Sequence, residues 1–386
     1  MANSFYDIAG QLAQLKQQGL YRSRRLVDSP QGVLLKVDGK QVINFCSNDY
    51  LGLANHPEVV ARFKQATDQY GVGSGSAHLI CGHSSAHHAL EEELAEFTGR
   101  QRALLFSTGY MANLGLISAL VGRSDTVLED RLNHASLLDG GLLSRAQFKR
   151  YRHLEDNDLQ EKLAACTGRA LIVSDGVFSM DGDLADMPRL AELAKQYQAG
   201  LFVDDAHGLG VLGKSGGGIV EHYDLSTDDV PILMGTLGKA FGTFGAFVAA
   251  SDDIIELLIQ KARSYVFTTA MPSAIAEATR VSLRLLQTEV WRREKLQHLI
   301  SRFKAGAQQQ CLQLMDSVTA IQPILIGDSQ RAVDMSSALL AYGFWVSAIR
   351  PPTVPVGTAR LRVTFSAEHE YHQVDALLDA LGKVIA

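Results

Sequence analysis

Cysteine is scarce: Cys46, Cys81, Cys166 and Cys311 stand far apart in 386 residues, with no C-x-x-C pair. That pattern excludes a disulfide scaffold and reads as reduced thiols. Positive charge is not in excess either, since Lys+Arg 36 against Asp+Glu 42 gives a net charge of -6. A mildly acidic chain lacks the basic field that general nucleic-acid affinity needs. No run approaches the roughly 18 apolar residues of a membrane helix. Met1 to Leu20, with Asp7 and Lys16, has no apolar segment of a secretory signal. Internal repeats, low-complexity tracts and Pro/Ser-rich linkers are missing too, which excludes collagen-like and disordered classes. The expectation is a soluble cytoplasmic protein with no nucleic acid and no membrane among its partners.

What is present is globular material, 46% hydrophobic and 20% charged, enough to fill a large core. The start reads as a short amphipathic helix with Ile8, Leu12 and Leu15 on one face. From about residue 55 to 250, short apolar runs alternate with helical patterns. The runs are ALLFS (103–107), ALIVSDG (170–176), GLFVDDAHG (200–208), PILMGT (231–236) and GAFVAA (245–250). Such runs read as buried, mostly parallel strands. They predict an α/β fold whose central sheet is sandwiched by helices, with its ligand at the carboxyl ends of the strands. Near the end, ARLRVTF (359–365) alternates Leu361, Val363 and Phe365 with Arg360, Arg362 and Thr364. That alternation predicts one buried and one polar face. The predicted organisation is an N-terminal helix and arm over 1–50, a large α/β domain over 51–280 and a smaller α+β domain over 281–386.

Four local patterns fail on context. Gly71-x-Gly73-x-Gly75 follows a polar helical stretch and lacks the third glycine of a dinucleotide fingerprint. The near match to a serine-hydrolase elbow at Ser74 fails for want of a preceding strand. Gly238-Lys239 has Leu233 where a P-loop begins with glycine, and Ala240 where it ends with Ser or Thr. His78, Cys81, His83, His87 and His88 are irregularly spaced with no second cysteine, which argues against a metal.

The chemistry gathers at strand ends. LFVDDAHG sets Asp204 and His207 just past a buried strand, three residues apart. Further on, PILMGT leads into Thr236-Leu237-Gly238-Lys239-Ala240-Phe241-Gly242. A lone lysine among glycines and apolar side chains is poorly solvated, which favours a lowered pKa and Schiff-base chemistry. By itself it reads equally well as a surface lysine on a turn. After ALLFS, Thr108-Gly109-Tyr110 opens a helix, whose first N–H groups suit a phosphate. His134, in Asn133-His134-Ala135-Ser136, offers an imidazole face for stacking on an aromatic ring.

Together these residues carry a family likeness. SNDYLGL (47–53), GSGSAH (73–78), HASLLDG (134–140), SDGVFSMDGD (174–183), VDDAHGLGVLG (203–213) and TLGKAFG (236–242) resemble the α-oxoamine synthases, fold-type I pyridoxal-phosphate (PLP) enzymes. The matches span most of the chain in the family's order. Within the family, AIRPPTVPVGTARLR (348–362) is most similar to the branch that makes 8-amino-7-oxononanoate for biotin. One departure is Tyr110, where the family commonly has phenylalanine.

The resemblance implies an aminotransferase-like fold, PLP as a covalent aldimine on Lys239, and a homodimer with its sites at the interface. It implies that Asp204 pairs with the pyridinium nitrogen and His207 with the phenolic oxygen. His134 is implied to stack on the ring and border the substrate. Gly109, Tyr110, Ser179 and Thr236 are implied for the phosphate and ring oxygen, and Thr268 and Thr269 for the phosphate in a partner subunit. The implied substrates are L-alanine, its carboxylate at Arg350 and Asn48, and pimeloyl-CoA or its acyl-carrier-protein form. Arg22 and Thr353 are implied for the acyl chain, although Arg22 also reads as part of a solvated basic face with Arg24 and Arg25. The reaction implied is an acyl transfer with loss of CO2. Two other readings stay open: a 2-amino-3-ketobutyrate ligase using glycine and acetyl-CoA, and a catalytically idle PLP-binding protein.

Overall fold

The computed structural model describes residues 7–385, so the first six residues of the predicted arm lie outside the described residues. Two compact units make up the chain. The larger comprises Asn48–Ser179 and Asp183–Lys295, and the smaller Met1–Ser47, Met180–Gly182 and Leu296–Ala386. The chain passes from one unit to the other at 47/48 and 295/296, and residues 180–182 group with the smaller one.

Seven strands build the larger unit: β1 Arg102–Phe106, β2 Thr126–Asp130, β3 Gln147–Tyr151, β4 Ala170–Asp175, β5 Gly200–Asp204, β6 Ile232–Thr236 and β7 Ala246–Ala250. Their order in the sheet is β1-β7-β6-β5-β4-β2-β3. β7 runs antiparallel to both neighbours and every other pair is parallel. All five strands expected from sequence are present. β2 and β3 were not expected, because β2 (TVLED) ends in two acids and β3 (QFKRY) is a charged edge strand. Glu129 and Asp130 of β2 are nevertheless buried. Asp130 accepts from the N–H groups of Leu132 and Leu154, at 2.8 and 3.0 Å. Burial pushes the Glu129 carboxyl up to about 8, so it sits there neutral at pH 7.

Helices pack against this sheet and carry side chains to its carboxyl edge. The helices of this unit include α1 Pro57–Tyr70, which packs on the helix Ser273–Thr288, and α2 Ser85–Thr98, α3 Gly109–Leu120 and α4 Ala135–Leu143, which lie on the sheet. The Thr108 side chain caps α3 by accepting from Met111 N at 3.2 Å. Ala112, Leu116 and Ile117 of α3 join Phe106, Val127, Val173, Phe202 and Met234 in the main core. Gly140 lets α4 approach α3, since a Cβ there would fall 2.7 Å from Ile117 Cδ1 and 3.3 Å from Asn113 O. That close approach sets His134 and Asn113 beside each other.

The smaller unit holds two three-stranded sheets. In one, the hairpin Leu34–Val37 and Lys40–Asn44 takes Phe344–Trp345 as a parallel third strand. In the other, Ala359–Thr364 lies between Ile321–Gly327 and Ser347–Ile349. The polar face expected on this strand is instead covered, with Arg360 3% and Arg362 6% exposed. Arg360 is tolerated there because its guanidinium pairs with the Asp181 carboxylate and donates to Thr358 O at 3.0 Å. The expected first helix spans Ile8–Gln17, with Ile8, Leu12 and Leu15 exposed. Among the described residues, no helix is long and apolar enough to cross a membrane.

Candidate active site

A cavity of about 190 Å³ opens at the carboxyl ends of the strands of the larger unit. Gly109, Tyr110, His134, Ser179, Asp204, His207, Thr236 and Lys239, all candidates from sequence, line it. Asn113, Ser136, Asp175, Ala206 and Met234 complete the wall. Each polar side chain arrives from a strand end or from the helix start after it, the location at which open α/β sheets place ligands.

Asp204 ends β5 and is buried. Its Oδ2 accepts from Asn113 Nδ2 at 2.7 Å and its Oδ1 from Ala206 N at 3.0 Å. Asn113 Nδ2 also donates to Ser136 Oγ at 2.8 Å, and that hydroxyl lies 2.7 Å from His134 Nδ1. A polar row therefore runs from Asp204 to His134. Burial is the main influence on His134 and holds it below its ordinary value, with the Lys239 charge adding to the effect. A neutral, flat imidazole suits stacking better than a charged one. Asp175, at the end of β4, accepts from His134 N at 2.6 Å. Burial first, and then the nearby Asp204 charge, push the Asp175 carboxyl well above the usual carboxylate range. Burial and that neighbouring charge favour the neutral form of Asp175.

Lys239 is half-buried, three residues past β6, with Nζ 2.7 Å from His207 Nε2. His207 is itself buried, and its Nδ1 lies 2.6 Å from the Tyr50 hydroxyl. That hydroxyl is also 3.2 Å from Asn48 Oδ1. The N–H groups of Gly109 and Tyr110, in the first turn of α3, have no intrahelical partner and mark an anion-binding end. Thr236 Oγ1 donates to Gly245 O at 3.1 Å, which fixes the turn leading to Lys239. The Tyr110 hydroxyl donates to the Asp139 carboxylate.

Three of the substrate candidates gather elsewhere. Arg22, Arg350 and Thr353 line a cavity of about 300 Å³ within the smaller unit, together with Leu20, Ser23 and Ile349. The Arg350 fork is engaged: Nε donates to Gly19 O at 2.8 Å and Nη2 to Tyr21 O at 3.0 Å. Thr268 is half-buried and Thr269 exposed, and neither lines the cavity beside Lys239. Thr269 forms an antiparallel bridge with Ala77, which ties this segment to the histidine-rich turn. There His87 Nδ1 accepts from Ser84 N at 3.0 Å and caps α2, while its Nε2 donates to Met271 O at 2.7 Å. His78 and His83 meet through their Nδ1 atoms at 3.0 Å, and burial pushes His78 down to about 3.

Four residues of the cavity network were not singled out in sequence. Asp175 is the second-last residue of the expected strand ALIVSDG, and Tyr50 lies inside the SNDYLGL match. Asn113 stands one turn into α3 from Gly109, and Ser136 lies two residues past His134.

The same architecture occurs in known proteins. The aminotransferase class I and II family pattern matches residues 40–381. An 8-amino-7-oxononanoate synthase of Pseudomonas putida (strain W619) is 62% identical, over 98% of this chain and 97% of the relative. A protein of the same name from Methylococcus capsulatus (strain ATCC 33009 / NCIMB 11132 / Bath) is 60% identical, over 98% of this chain and 98% of the relative. Among solved structures, a serine palmitoyltransferase from S. paucimobilis with a bound PLP–myriocin aldimine matches with a TM-score of 0.93. It is 30% identical and covers 100% of this chain and 98% of that one. An 8-amino-7-oxononanoate synthase from Francisella tularensis matches with a TM-score of 0.79 and 32% identity, over 89% of this chain and 98% of that one. The chain belongs to the aminotransferase class I and II family and, within it, to the α-oxoamine synthases, where it is most like the 8-amino-7-oxononanoate synthases.

Proposed function

We propose that this chain is a PLP-dependent acyltransferase that condenses L-alanine with a pimeloyl thioester, releasing thiol and CO2 and forming 8-amino-7-oxononanoate for biotin synthesis. The observation that carries this reading is the joining of Lys239, His207, His134 and Asp204 around one cavity, in a chain about 60% identical to synthases of that name over nearly its whole length. The protein acts in the cytoplasm as a homodimer.

The donor set of the cavity fits PLP. An amine stands ready for the aldehyde, a buried carboxylate is fixed for a ring nitrogen, and a capped helix start is available for a phosphate. When bound, PLP supplies an electron sink that stabilises negative charge on the amino-acid Cα. Lys239 would hold the cofactor covalently, and its amine, when free, would serve as the general base for the amino-acid Cα proton. Asp204 would face the ring nitrogen, where a fixed carboxylate supports the electron sink. His134 would offer its imidazole face to the ring beside the substrate, and His207 would serve the phenolic oxygen. Gly109, Tyr110, Ser179 and Thr236 would hold the phosphate side, joined by Thr268 and Thr269 from a partner subunit. Arg350 and Asn48 bind the alanine carboxylate, and Arg22 and Thr353 line the path of the acyl chain.

Thiol release from pimeloyl-CoA in the presence of L-alanine tests this reading. The expected result is alanine-dependent release with stoichiometric CO2. Release only with glycine and acetyl-CoA would transfer the chain to the ketobutyrate ligases, and none with any pair would make it an idle PLP binder.

A further inference from the structure

We propose that His83, His88 and Glu91 bind a zinc ion at a site apart from the cofactor cavity, with His78 supporting His83. Among the described residues, two groups of three possible metal ligands come together, and His83 belongs to both. The group of His78, His83 and His87 fails because His87 is committed. Its Nδ1 accepts from Ser84 N and its Nε2 donates to Met271 O at 2.7 Å, so neither nitrogen is left for a metal. In the other group, the ligand atoms of His83, His88 and Glu91 all lie within 4.8 Å of one another. Irregular spacing and the missing second cysteine argue against a metal only along the sequence. In the fold, α2 sets His88 and Glu91 on one face, three residues apart, and the carboxylate takes the place of a thiolate.

Glu91 is already oriented as a ligand. Its Oε1 accepts from Leu105 N at 2.9 Å, and its Oε2 faces His83 Nε2 across 3.9 Å. That gap is too wide for a hydrogen bond, and it fits two ligands of one ion, each about 2.0–2.2 Å from the metal. Burial pushes the Glu91 carboxyl up to about 7, and the Leu105 N–H and the charge of Arg102 offset only part of this. A dication supplies the missing positive charge. The other nitrogen of His83, Nδ1, lies 3.0 Å from His78 Nδ1. With Nε2 on the metal, Nδ1 carries the ring hydrogen and donates it to His78, the kind of contact that holds ligating histidines in place. His78 is buried and stacks on Tyr265 at 12°, with centroids 5.0 Å apart. His88 is the outer ligand. Its side chain is 67% exposed, and its Nε2 lies 3.4 Å from Glu92 Oε1, an exposed pair that little holds together. The open side gives the ion an entry path and leaves a position for water. Two imidazoles and one carboxylate suit zinc better than magnesium or calcium, which prefer oxygen ligands. The ion would pin the turn over 78–83, beside the bridge from Ala77 to Thr269, to the start of α2.

Zinc titration of the chelator-treated holoenzyme, in competition with a chromophoric chelator, tests the proposal. The wild type is expected to take one zinc per chain, and cobalt in its place should give the visible bands of a four-coordinate ion. His88→Ala, at an exposed position, is expected to weaken zinc binding by more than about a hundredfold. His78→Phe should weaken it by about ten- to a hundredfold, as loss of a supporting group does. Cys81→Ser and Glu92→Gln are expected to bind no more weakly than the wild type. A wild type without a saturable one-to-one site overturns the proposal, and so does a His88→Ala protein that binds as tightly as the wild type. A loss in Cys81→Ser equal to that in His88→Ala overturns the ligand set. Should His78→Phe not fold, His88→Ala decides. None of these readouts needs turnover, so the zinc site stands or falls independently of the reaction proposed above.

Discussion

Asn113 Nδ2 stands 2.7 Å from Asp204 Oδ2 with both residues buried, and that contact ties the second turn of α3 to the end of β5. It joins two walls of the cavity, the helix start proposed for the phosphate and the acid proposed for the ring nitrogen. Asn113→Ala removes a hydrogen bond to a buried acid, a loss of about 1.5–3 kcal/mol. Thermal unfolding of the cofactor-free protein should show a lower melting temperature, and an unchanged one would deny the contact any energetic weight. Asp204→Asn is different in kind. It keeps the shape and loses the charge, so turnover should fall by about a hundredfold or more while PLP still binds. Equal loss of PLP would make the acid structural.

Lys239→Ala tests the covalent link directly. The variant should take up PLP without the visible band of a protonated imine, and the cofactor should leave on gel filtration. Turnover should drop by at least about a thousandfold, because nucleophile and base are lost together. A variant that keeps both band and turnover places the lysine elsewhere.

How much of this was readable in the amino acids divides along physical lines. A buried parallel strand ending in an acid, as in LFVDD, announces a site because nothing in a core needs that carboxylate. Lys239 was visible for a similar reason, a cation set among glycine and apolar neighbours. Asn113 and Tyr50 were silent, since a buried amide in a helix or an aromatic in a turn reads as ordinary packing. β2 escaped because its acids depend on partners far along the chain, Asp130 on His153 among them. Arg360 read as solvated because Asp181, which neutralises it, is 179 residues away. Local pattern exposes what a residue wants, and only the fold shows what supplies it.

Arg350 was expected to present an open fork to a carboxylate, yet two of its donors hold the main chain at Gly19 and Tyr21. Arg350→Ala should therefore have two effects. The KM for alanine should rise far more than kcat falls, with PLP retention unchanged. Trypsin should also cut faster at Arg22, Arg24 or Arg25, because the arm loses its anchors. Faster cleavage without a KM effect would assign the residue to holding the arm alone.

His153 makes a prediction about pH. Its Nδ1 lies 2.9 Å from Asp130 Oδ1 and its Nε2 2.9 Å from Asp183 Oδ2, so both nitrogens face acceptors and the ring is an imidazolium. Burial opposes that charge, but the two carboxylates outweigh it and push His153 up to about 10. In the unfolded chain an ordinary histidine titrates near 6.5, as a rough reference value. The folded state therefore holds an extra proton between those values, and stability falls with rising pH across that window. His153→Gln lacks the titration. The difference in urea-unfolding free energy between wild type and variant should be largest below about pH 6.5 and shrink toward pH 10. A difference that stays constant across the range would mean that His153 contributes by shape alone. The ring also packs edge-on against Phe178, with centroids 4.5 Å apart, immediately before the cavity residue Ser179. Loss of the ion pairs at high pH should accordingly loosen PLP before the protein unfolds, measurable as cofactor release at a pH below the unfolding transition.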